Sequence, residues 1–282
     1  MVNIFDNEMN NINENKILKT KQEQKIDKIT SDIRNKKFVT LLYGDTGTGK
    51  TYVSLTFPAP IMFIDTENRA DLTKHALFKD KDIKIIEPVS LKTEITKTMD
   101  DVFDEVQSLD NLTSAIAEFV KKITESKIIS GTIVIDSTSD VWSWIQSWMF
   151  SKLSKMTTKG GTSRANEDLQ TVSSQLDWKI ANNKHETIVK VLRSLTSKGI
   201  YVVFTAKEKS APEYVTTKPT AKEKIRAQKD LPFIADVIIN LKKENNHYIG
   251  IIEKLGIKPI NEKSIMTEPD FEKINELKPI GE

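Results

Sequence analysis

The segment GDTGTGKT at residues 44–51, named here the phosphate loop, is the clearest chemical motif in the sequence. It fits the pattern G-x-x-x-x-G-K-[ST], in which a strand leads into a glycine-rich turn that opens a helix. Glycines let the backbone curl so that successive N–H groups point at phosphate oxygens, and the helix N-terminus adds a favourable dipole. The nucleotide-binding residues we expect are Gly44, Asp45, Thr46, Gly47, Thr48, Gly49, Lys50 and Thr51.

Two side chains of the phosphate loop have separate roles in this pattern. Lys50 is expected to reach the β- and γ-phosphates, and the Thr51 hydroxyl to contact Mg²⁺. A carboxylate must also support the metal. Asp136, at the end of the apolar run GTIVID, supplies it, and we expect its strand to lie beside the strand that leads into the phosphate loop. Many buried strands end in aspartate, so this assignment depends on the phosphate loop. The expected cofactors are ATP and Mg²⁺, with Thr51 and Asp136 on the metal side.

The segment IMFIDTENRA at residues 61–70 places two carboxylates at the tip of another apolar run. The residue after Asp136 is Ser137, which cannot act as a base, so a hydrolase needs a carboxylate from elsewhere. Open parallel sheets bind ligands beyond the carboxyl ends of their strands. Glu67 is therefore the candidate catalytic residue for orienting water, and Asp65 is expected to close the loop. The alternative is that Glu67 is a solvated loop acid.

Apolar runs and segments with helical spacing alternate along the chain. Short apolar runs occur at 38–43, 61–64, 83–86, 132–135 and 201–204, and residues 109–126, 141–153 and 180–195 have helical spacing. This alternation predicts an α/β fold with a mainly parallel central sheet and helices on both faces. We expect a flexible charged arm at 1–36, an ATPase core at 37–256 and a fraying tail at 257–282.

Composition excludes several classes of function. The 282 residues include no cysteine, which excludes disulfides and thiolate chemistry, and three scattered histidines do not indicate a zinc site. The formal net charge of +2 is too small to indicate nucleic-acid binding by itself. No long apolar run and no apolar signal core are present, so we expect a cytoplasmic protein without a membrane partner.

The segments FIDTE and VIDS, following a phosphate loop, resemble those of the RecA-like recombination ATPases. The resemblance is closer to compact phage nucleotide-binding ATPases with a RecA core, including single-strand annealing proteins, and covers residues 38–256. It implies a RecA-like P-loop NTPase core in which Glu67 is the catalytic carboxylate. It also implies a homo-oligomer, a ring or a filament, with the nucleotide between subunits. The implied partners are single-stranded DNA and a single-strand DNA-binding protein.

Two positions depart from that family's pattern. Ala206 and Lys207 follow the strand YVVFT where such families carry a glutamine or histidine that senses the γ-phosphate, so Thr205 is expected to take that role. The closing strand has one lysine, Lys254, which the resemblance assigns to the neighbouring subunit's nucleotide. The alternative for Lys254 is an ordinary surface lysine.

A RecA core presents two loops to DNA, which correspond here to residues 151–164 and 206–230. Both are rich in basic residues, as sequence-independent phosphate contact requires. The alternative is that such loops are common in a lysine-rich protein. The candidate DNA-binding residues are Lys152, Lys155, Lys159, Arg164, Lys207, Lys209, Lys222, Lys224 and Arg226.

Taken together, these features predict a DNA-stimulated, RecA-like ATPase that binds single-stranded DNA and acts in phage DNA recombination, annealing or repair. One alternative is an AAA+-type remodelling ATPase acting on protein. Ser137 argues against this alternative, because it stands where such an ATPase is expected to have an acid. The other is a nucleotide-sensing interaction module with little turnover.

Overall fold

The structure, a computed structural model, describes residues 37–92, 102–157, 161–166, 171–172, 174–209, 225–256 and 264–277. The described residues belong to one compact unit, which begins at Lys37. The strands are β1 (Val39–Gly44), β2 (Ile61–Asp65), β3 (Ile83–Ile86), β4 (Gly131–Asp136), β5 (Ala165–Asn166), β6 (Thr171–Val172), β7 (Ile200–Glu208), β8 (Ile225–Arg226), β9 (Val237–Glu244), β10 (His247–Leu255) and β11 (Ile265–Thr267).

Seven α-helices lie within the described residues, joined by two short 3₁₀ turns at Gln175–Asp177 and Leu195–Lys198. The helices are α1 (Lys50–Thr56), α2 (Ala70–Leu77), α3 (Glu105–Thr124), α4 (Thr138–Ser154), α5 (Trp178–Ser194), α6 (Leu231–Ile234) and α7 (Phe271–Glu276). Among the described residues, no helix combines the length and the apolar character that a membrane crossing requires.

The main sheet has the strand order β11-β10-β9-β1-β7-β4-β2-β3, with β8 paired to β7. Pairing is parallel from β9 to β3, and β10, β11 and β8 pair antiparallel. Alternate side chains of β1 enter different apolar clusters. Leu41 belongs to the cluster that includes side chains of α3, α4 and α5, and Leu42 belongs to the cluster that includes side chains of α1 and α7. The predicted α/β fold with a mainly parallel sheet is confirmed.

The strand order corrects one sequence-based expectation. Strand β4, which ends at Asp136, does not lie beside β1, because β7 pairs with both and separates them. Strand β2 pairs with β4 and is further from β1, with Asp65 opposite Asp136. The carboxyl ends of β1, β7, β4 and β2 nevertheless meet at one edge, since all four strands are parallel. Chain order does not reveal which later strand inserts between two earlier ones.

The predicted tail at 257–282 is wrong for residues 264–277. Strand β11 pairs with β10, and Phe271 and Ile274 of α7 are buried against the sheet. Phe271 makes ring contacts with Phe57 and Tyr201, at centroid distances of 5.0 and 5.1 Å. A short apolar pair among lysines and glutamates was too weak a pattern to reveal this packing.

Candidate active site

The phosphate loop joins β1 to α1 and needs its glycines for two different reasons. Gly47 and Gly49 have φ angles of 77° and 88°, in the left-handed region that side chains with a Cβ rarely adopt. Gly44 is required by packing instead, because a Cβ there would lie 2.2 Å from the carbonyl oxygen of Leu241 in β9. The loop is therefore shaped by its own backbone and by the neighbouring strand.

Polar contacts inside the loop fix its conformation. Asp45 Oδ1 accepts the Thr46 N–H at 2.7 Å, and the Thr48 hydroxyl donates to the Asp45 carbonyl at 2.8 Å. Lys50 Nζ donates to the carbonyls of Gly44 and Asp45 at 3.0 and 2.8 Å. Burial lowers the pKa of Lys50, and the carboxylates of Asp136 and Glu67 partly oppose that shift. The ammonium thus lies across the loop, facing two carboxylates.

Asp136 is a buried carboxylate with two hydroxyl donors. Its Oδ2 accepts the Thr51 hydroxyl at 2.7 Å, and its Oδ1 accepts the hydroxyl of Thr205. Burial raises the pKa of Asp136 to about 6, although both hydroxyl donors act in the opposite direction. Thr205 is fully buried and its hydroxyl donates to Asp136, so its expected contact with a γ-phosphate stays a prediction.

The Thr51–Asp136 pair fits a magnesium ion, which is usually held by one or two protein oxygens together with substrate phosphates and water. Among the residues that the structure describes, no group of three or more histidines and acids forms a closed metal cage. A cation bound here therefore needs the phosphates of a nucleotide to complete its coordination. When bound, Mg²⁺ neutralises phosphate charge.

Asp65 organises the loop that carries Glu67. Its carboxylate accepts the backbone N–H groups of Glu67, Arg69 and Ala70, at 3.0, 2.7 and 2.7 Å. Thr66 ties the same loop to β4, because its N–H donates to the Asp136 carbonyl at 2.7 Å. Asp65 therefore closes the loop as the sequence predicts.

Two cavities meet at Glu67. The nucleotide cavity, of about 290 Å³, is lined by Thr46, Gly47, Gly49, Lys50, Thr51, Tyr52, Glu67, Arg69, Thr73, Asp136, Lys207 and Tyr248. The outer cavity, of about 540 Å³, shares Thr46, Glu67, Arg69 and Lys207 with it and is otherwise lined by Thr66, Phe103, Glu105, Asp140, Ser143 and Trp144. The structure thus brings together Glu67, Lys50, Thr51 and Asp136, as the sequence predicts.

Sequence reasoning missed several residues that line these cavities. Arg69 borders both, and Tyr248 of β10 approaches the phosphate loop so closely that a Cβ on Gly49 would lie 3.4 Å from its ring. Asp140 lies in the first turn of α4, four residues after Asp136. Arg69 follows Asp65 by the same four residues. A polar residue four positions after an aspartate that ends a strand could therefore have been predicted to line the site. No local pattern points to Tyr248.

Lys207 corrects the predicted DNA-binding set. It belongs to β7, and its Nζ lies 2.8 Å from Asp140 Oδ1 and 3.1 Å from Glu67 Oε1. Burial lowers the pKa of Lys207, but hydrogen bonds and charge from these two carboxylates outweigh it and leave the pKa raised. Lys207 therefore lines the cavity beside the phosphate loop and is paired with two carboxylates.

The other candidate DNA-binding residues differ in their surroundings. Lys152 belongs to α4, with its Nζ 5.1 Å from the centre of the Trp148 ring, and Arg164 forms an ion pair with the buried Asp177. Lys155, Lys209 and Arg226 are exposed. Lys159, Lys222 and Lys224 lie outside the described residues.

Lys254 lies at the opposite edge of the sheet from the phosphate loop, because β10 is antiparallel and pairs Lys254 with Ile238 near the start of β9. Its Nζ donates to the carbonyls of Pro232 and Phe233 at 3.1 and 3.2 Å. Lys254 thus has no part in its own subunit's nucleotide cavity. Its expected contact with a neighbouring subunit's nucleotide stays a prediction.

Comparison with known proteins gives one finding on the family. A family model described as an AAA domain matches residues 36–271, which is most of the chain and includes the whole sheet. No curated protein matches the chain. The description names no nucleic acid and no recombination role.

Proposed function

Because the chain belongs to the AAA domain family of P-loop ATPases, we propose that it hydrolyses ATP in the nucleotide cavity and that single-stranded DNA stimulates this reaction. One observation carries the catalytic part of the proposal. Lys50, Thr51, Asp136 and Glu67, which come from three separate segments of the chain, line the same cavity of about 290 Å³. A phosphate-binding loop, a metal-side pair and a further carboxylate are the groups that phosphoryl transfer to water requires.

Each group has a role that its position supports. The loop N–H groups and Lys50 bind the β- and γ-phosphates, and Thr51 with Asp136 would hold the Mg²⁺. Glu67 accepts a hydrogen bond from the attacking water and orients it. The water oxygen bonds to the γ-phosphorus, and the bond to the bridging oxygen breaks. ADP and phosphate leave, and the proton of the water passes through Glu67 to solvent.

Two observations support DNA as the partner. Lys209 follows the end of β7, and Arg226 in β8 pairs directly with Lys207, so basic residues continue beyond the nucleotide cavity on the same edge of the sheet. Lys155 is likewise exposed, at the C-terminal end of α4. Exposed basic side chains can contact the phosphates of DNA in a way that does not depend on its sequence. We propose on this basis, and on the RecA-like motifs, a role in recombination, annealing or repair as a homo-oligomer.

The salt bridge between Lys207 and Glu67 favours a second candidate function, a nucleotide-sensing module with little turnover. A carboxylate held by a lysine at 3.1 Å is less available to polarise water than one that faces solvent alone. If this pair persists when ATP binds, nucleotide would control assembly without rapid hydrolysis.

The test is steady-state ATP hydrolysis with and without single-stranded DNA, titrated in salt, using Lys50→Ala as the inactive control. Stimulation that fades steeply with salt is the expected result, because phosphate contacts release counterions. Activity that no nucleic acid changes would remove the DNA assignment and leave the ATPase. Slow hydrolysis equal to that of Lys50→Ala, together with tight ATP binding, would favour the sensing module.

A further inference from the structure

The outer cavity has no role in the proposed function, although it adjoins the nucleotide cavity. Its volume is about 540 Å³, and the two cavities share Thr46, Glu67, Arg69 and Lys207. These four residues therefore form the boundary between the cavities. Because Glu67 is one of them, the water that it would orient lies at this boundary and can enter from the outer cavity.

The direction of the proposed reaction determines where its second product goes. In phosphoryl transfer the attacking and leaving oxygens lie on opposite sides of the γ-phosphorus, roughly in line. Glu67 would hold the attacking water at the boundary, so the bond to the bridging oxygen of ADP breaks on the opposite side, towards the phosphate loop. The phosphorus moves towards the attacking oxygen as the new bond forms. Phosphate is therefore released towards the outer cavity, while ADP remains against the phosphate loop.

Arg69 supplies a positive charge at this boundary. Asp65 accepts the Arg69 N–H at 2.7 Å, which fixes the backbone of Arg69 where α2 begins. Within the part of the chain that the structure describes, the Arg69 guanidinium forms no ion pair or hydrogen bond, whereas Lys207 is paired with two carboxylates. A guanidinium presents a planar fork of N–H donors that matches the oxygens of a phosphate. Arg69 is thus suited to bind a free phosphate.

The carboxylates of the outer cavity already have donors. Asp140 accepts the ammonium of Lys207 at 2.8 Å, and Glu105 accepts the hydroxyls of two serines of α4, Ser143 and Ser147. A cation in contact with a carboxylate offsets much of its electrostatic effect on a third charge. These acids therefore oppose the entry of an anion less than unpaired carboxylates would.

We propose that the outer cavity binds the inorganic phosphate released by ATP hydrolysis, with Arg69 as its main ligand, and that this phosphate leaves before ADP. This inference rests on the proposed function of the nucleotide cavity. Thr46, which lies at the same boundary, provides a hydroxyl as a second donor. Phosphate leaves first because it can reach solvent past the exposed Ser143 without passing ADP.

Equilibrium dialysis of radiolabelled inorganic phosphate against the protein saturated with Mg²⁺ and ADP, without DNA, tests the site. Arg69→Gln should weaken phosphate binding about tenfold or more, because hydrogen bonds from a charged group are lost. Arg69→Lys keeps the charge and should bind phosphate more tightly than Arg69→Gln. Ser143→Trp places a large ring in the outer cavity and should prevent binding. The matched control is Ser194→Trp, at an exposed position at the end of α5 that lines neither cavity.

Single-turnover kinetics test the order of release. A fluorescent reporter of free phosphate and a fluorescent ATP derivative measure the two product steps in one reaction. In the wild type and in Ser194→Trp, phosphate is expected to appear in solution before ADP dissociates. In Ser143→Trp, phosphate release should be delayed until ADP has left, because the outer cavity is filled.

The inference would be overturned by a wild type that binds no phosphate beside ADP or releases ADP first. Equal phosphate binding by the wild type and Ser143→Trp would also overturn it, by placing the phosphate in the nucleotide cavity. If Ser143→Trp does not fold, as judged by its thermal melting, Ser143→Glu provides the same comparison, since its carboxylate repels phosphate. Dialysis needs no turnover. Phosphate binding that depends on Arg69 in a protein that hydrolyses no ATP would therefore contradict the proposed function and leave the phosphate site intact.

Discussion

The hydroxyl of Thr51 donates a 2.7 Å hydrogen bond to Asp136 Oδ2 although 85 residues separate the two in the chain. This bond connects the first turn of α1 to the end of β4 and passes the end of β7, the strand between β1 and β4. It places a neutral oxygen and a carboxylate where the phosphate loop opens. The two residues that we propose for the metal side of the site are therefore joined by a direct hydrogen bond.

Replacing Thr51 tests this pair. Thr51→Ala removes the hydroxyl and should weaken Mg²⁺-dependent ATP binding about tenfold or more, because a hydrogen bond to a charged group is lost. Thr51→Ser keeps the hydroxyl and should remain close to wild type. A titration with fluorescent ATP at several Mg²⁺ concentrations measures both variants. Equal affinities in all three proteins would exclude Thr51 from the metal side.

Glu67→Gln tests the catalytic carboxylate. Glutamine preserves the shape of the side chain but is a poor proton acceptor, so turnover should fall by about 10²-fold or more while ATP binding changes little. Single-turnover hydrolysis separates the two effects. Glu186→Gln, which alters a surface ion pair on α5, is the control. If wild type and Glu67→Gln are equally slow with and without DNA, Glu67 has no catalytic role.

Asp136 should make stability depend on pH. Its pKa is about 6 in the folded protein, against an ordinary value of 3.8, because burial disfavours the charged form. The folded state therefore retains a proton that the unfolded state loses, and this contribution to stability is complete below pH 4 and lost as pH rises to about 6. Relative to wild type, Asp136→Asn should gain stability over that interval, by about 3 kcal/mol at most.

Urea unfolding of Asp136→Asn and wild type at several pH values between 4 and 7 measures this difference. Asp71→Asn, a change at an exposed aspartate of α2, is the control and should show no such trend. A difference between Asp136→Asn and wild type that stays constant with pH would mean that Asp136 ionises normally in the folded protein.

Neutralising Lys155, Lys209 and Arg226 to glutamine tests the DNA surface. Each lost phosphate contact should reduce the slope of log affinity against log salt by about one, with a similar loss for every DNA sequence. Fluorescence anisotropy with single-stranded DNA at several salt concentrations measures the slope. The matched control neutralises three exposed lysines elsewhere, namely Lys121, Lys127 and Lys190. Equal slopes for the two triple variants would contradict the proposed surface.

Asp65→Ala should destabilise the protein, because three backbone N–H groups lose their buried acceptor. We expect a decrease of about 3 kcal/mol or more in the free energy of unfolding. Chemical denaturation of Asp65→Ala and of Asp71→Ala, the exposed counterpart, provides the comparison. If both variants lose equally little stability, the loop does not depend on Asp65.

The phosphate loop, the apolar strands and the carboxylates at their ends could all be predicted from the sequence. These features are local, because glycine conformation, side-chain alternation and helical spacing are expressed within a few residues. Asp136, Thr51 and Glu67 meet as predicted because parallel strands bring their carboxyl ends to one edge. The role of Asp65 in closing the loop could also be predicted, because Asp65 lies at the end of its strand.

The order of the strands in the sheet and the pairing of charged side chains could not be predicted in the same way. Inserting β7 between β1 and β4 turns Thr205 into a buried donor to Asp136 and brings Lys207 to Glu67 and Asp140. A lysine in a basic segment has the same local pattern whether it faces solvent or a carboxylate. Pairing between residues that are distant in the chain depends on the packing of the whole sheet. The sequence near Lys207 therefore does not predict its pairing with Glu67 and Asp140.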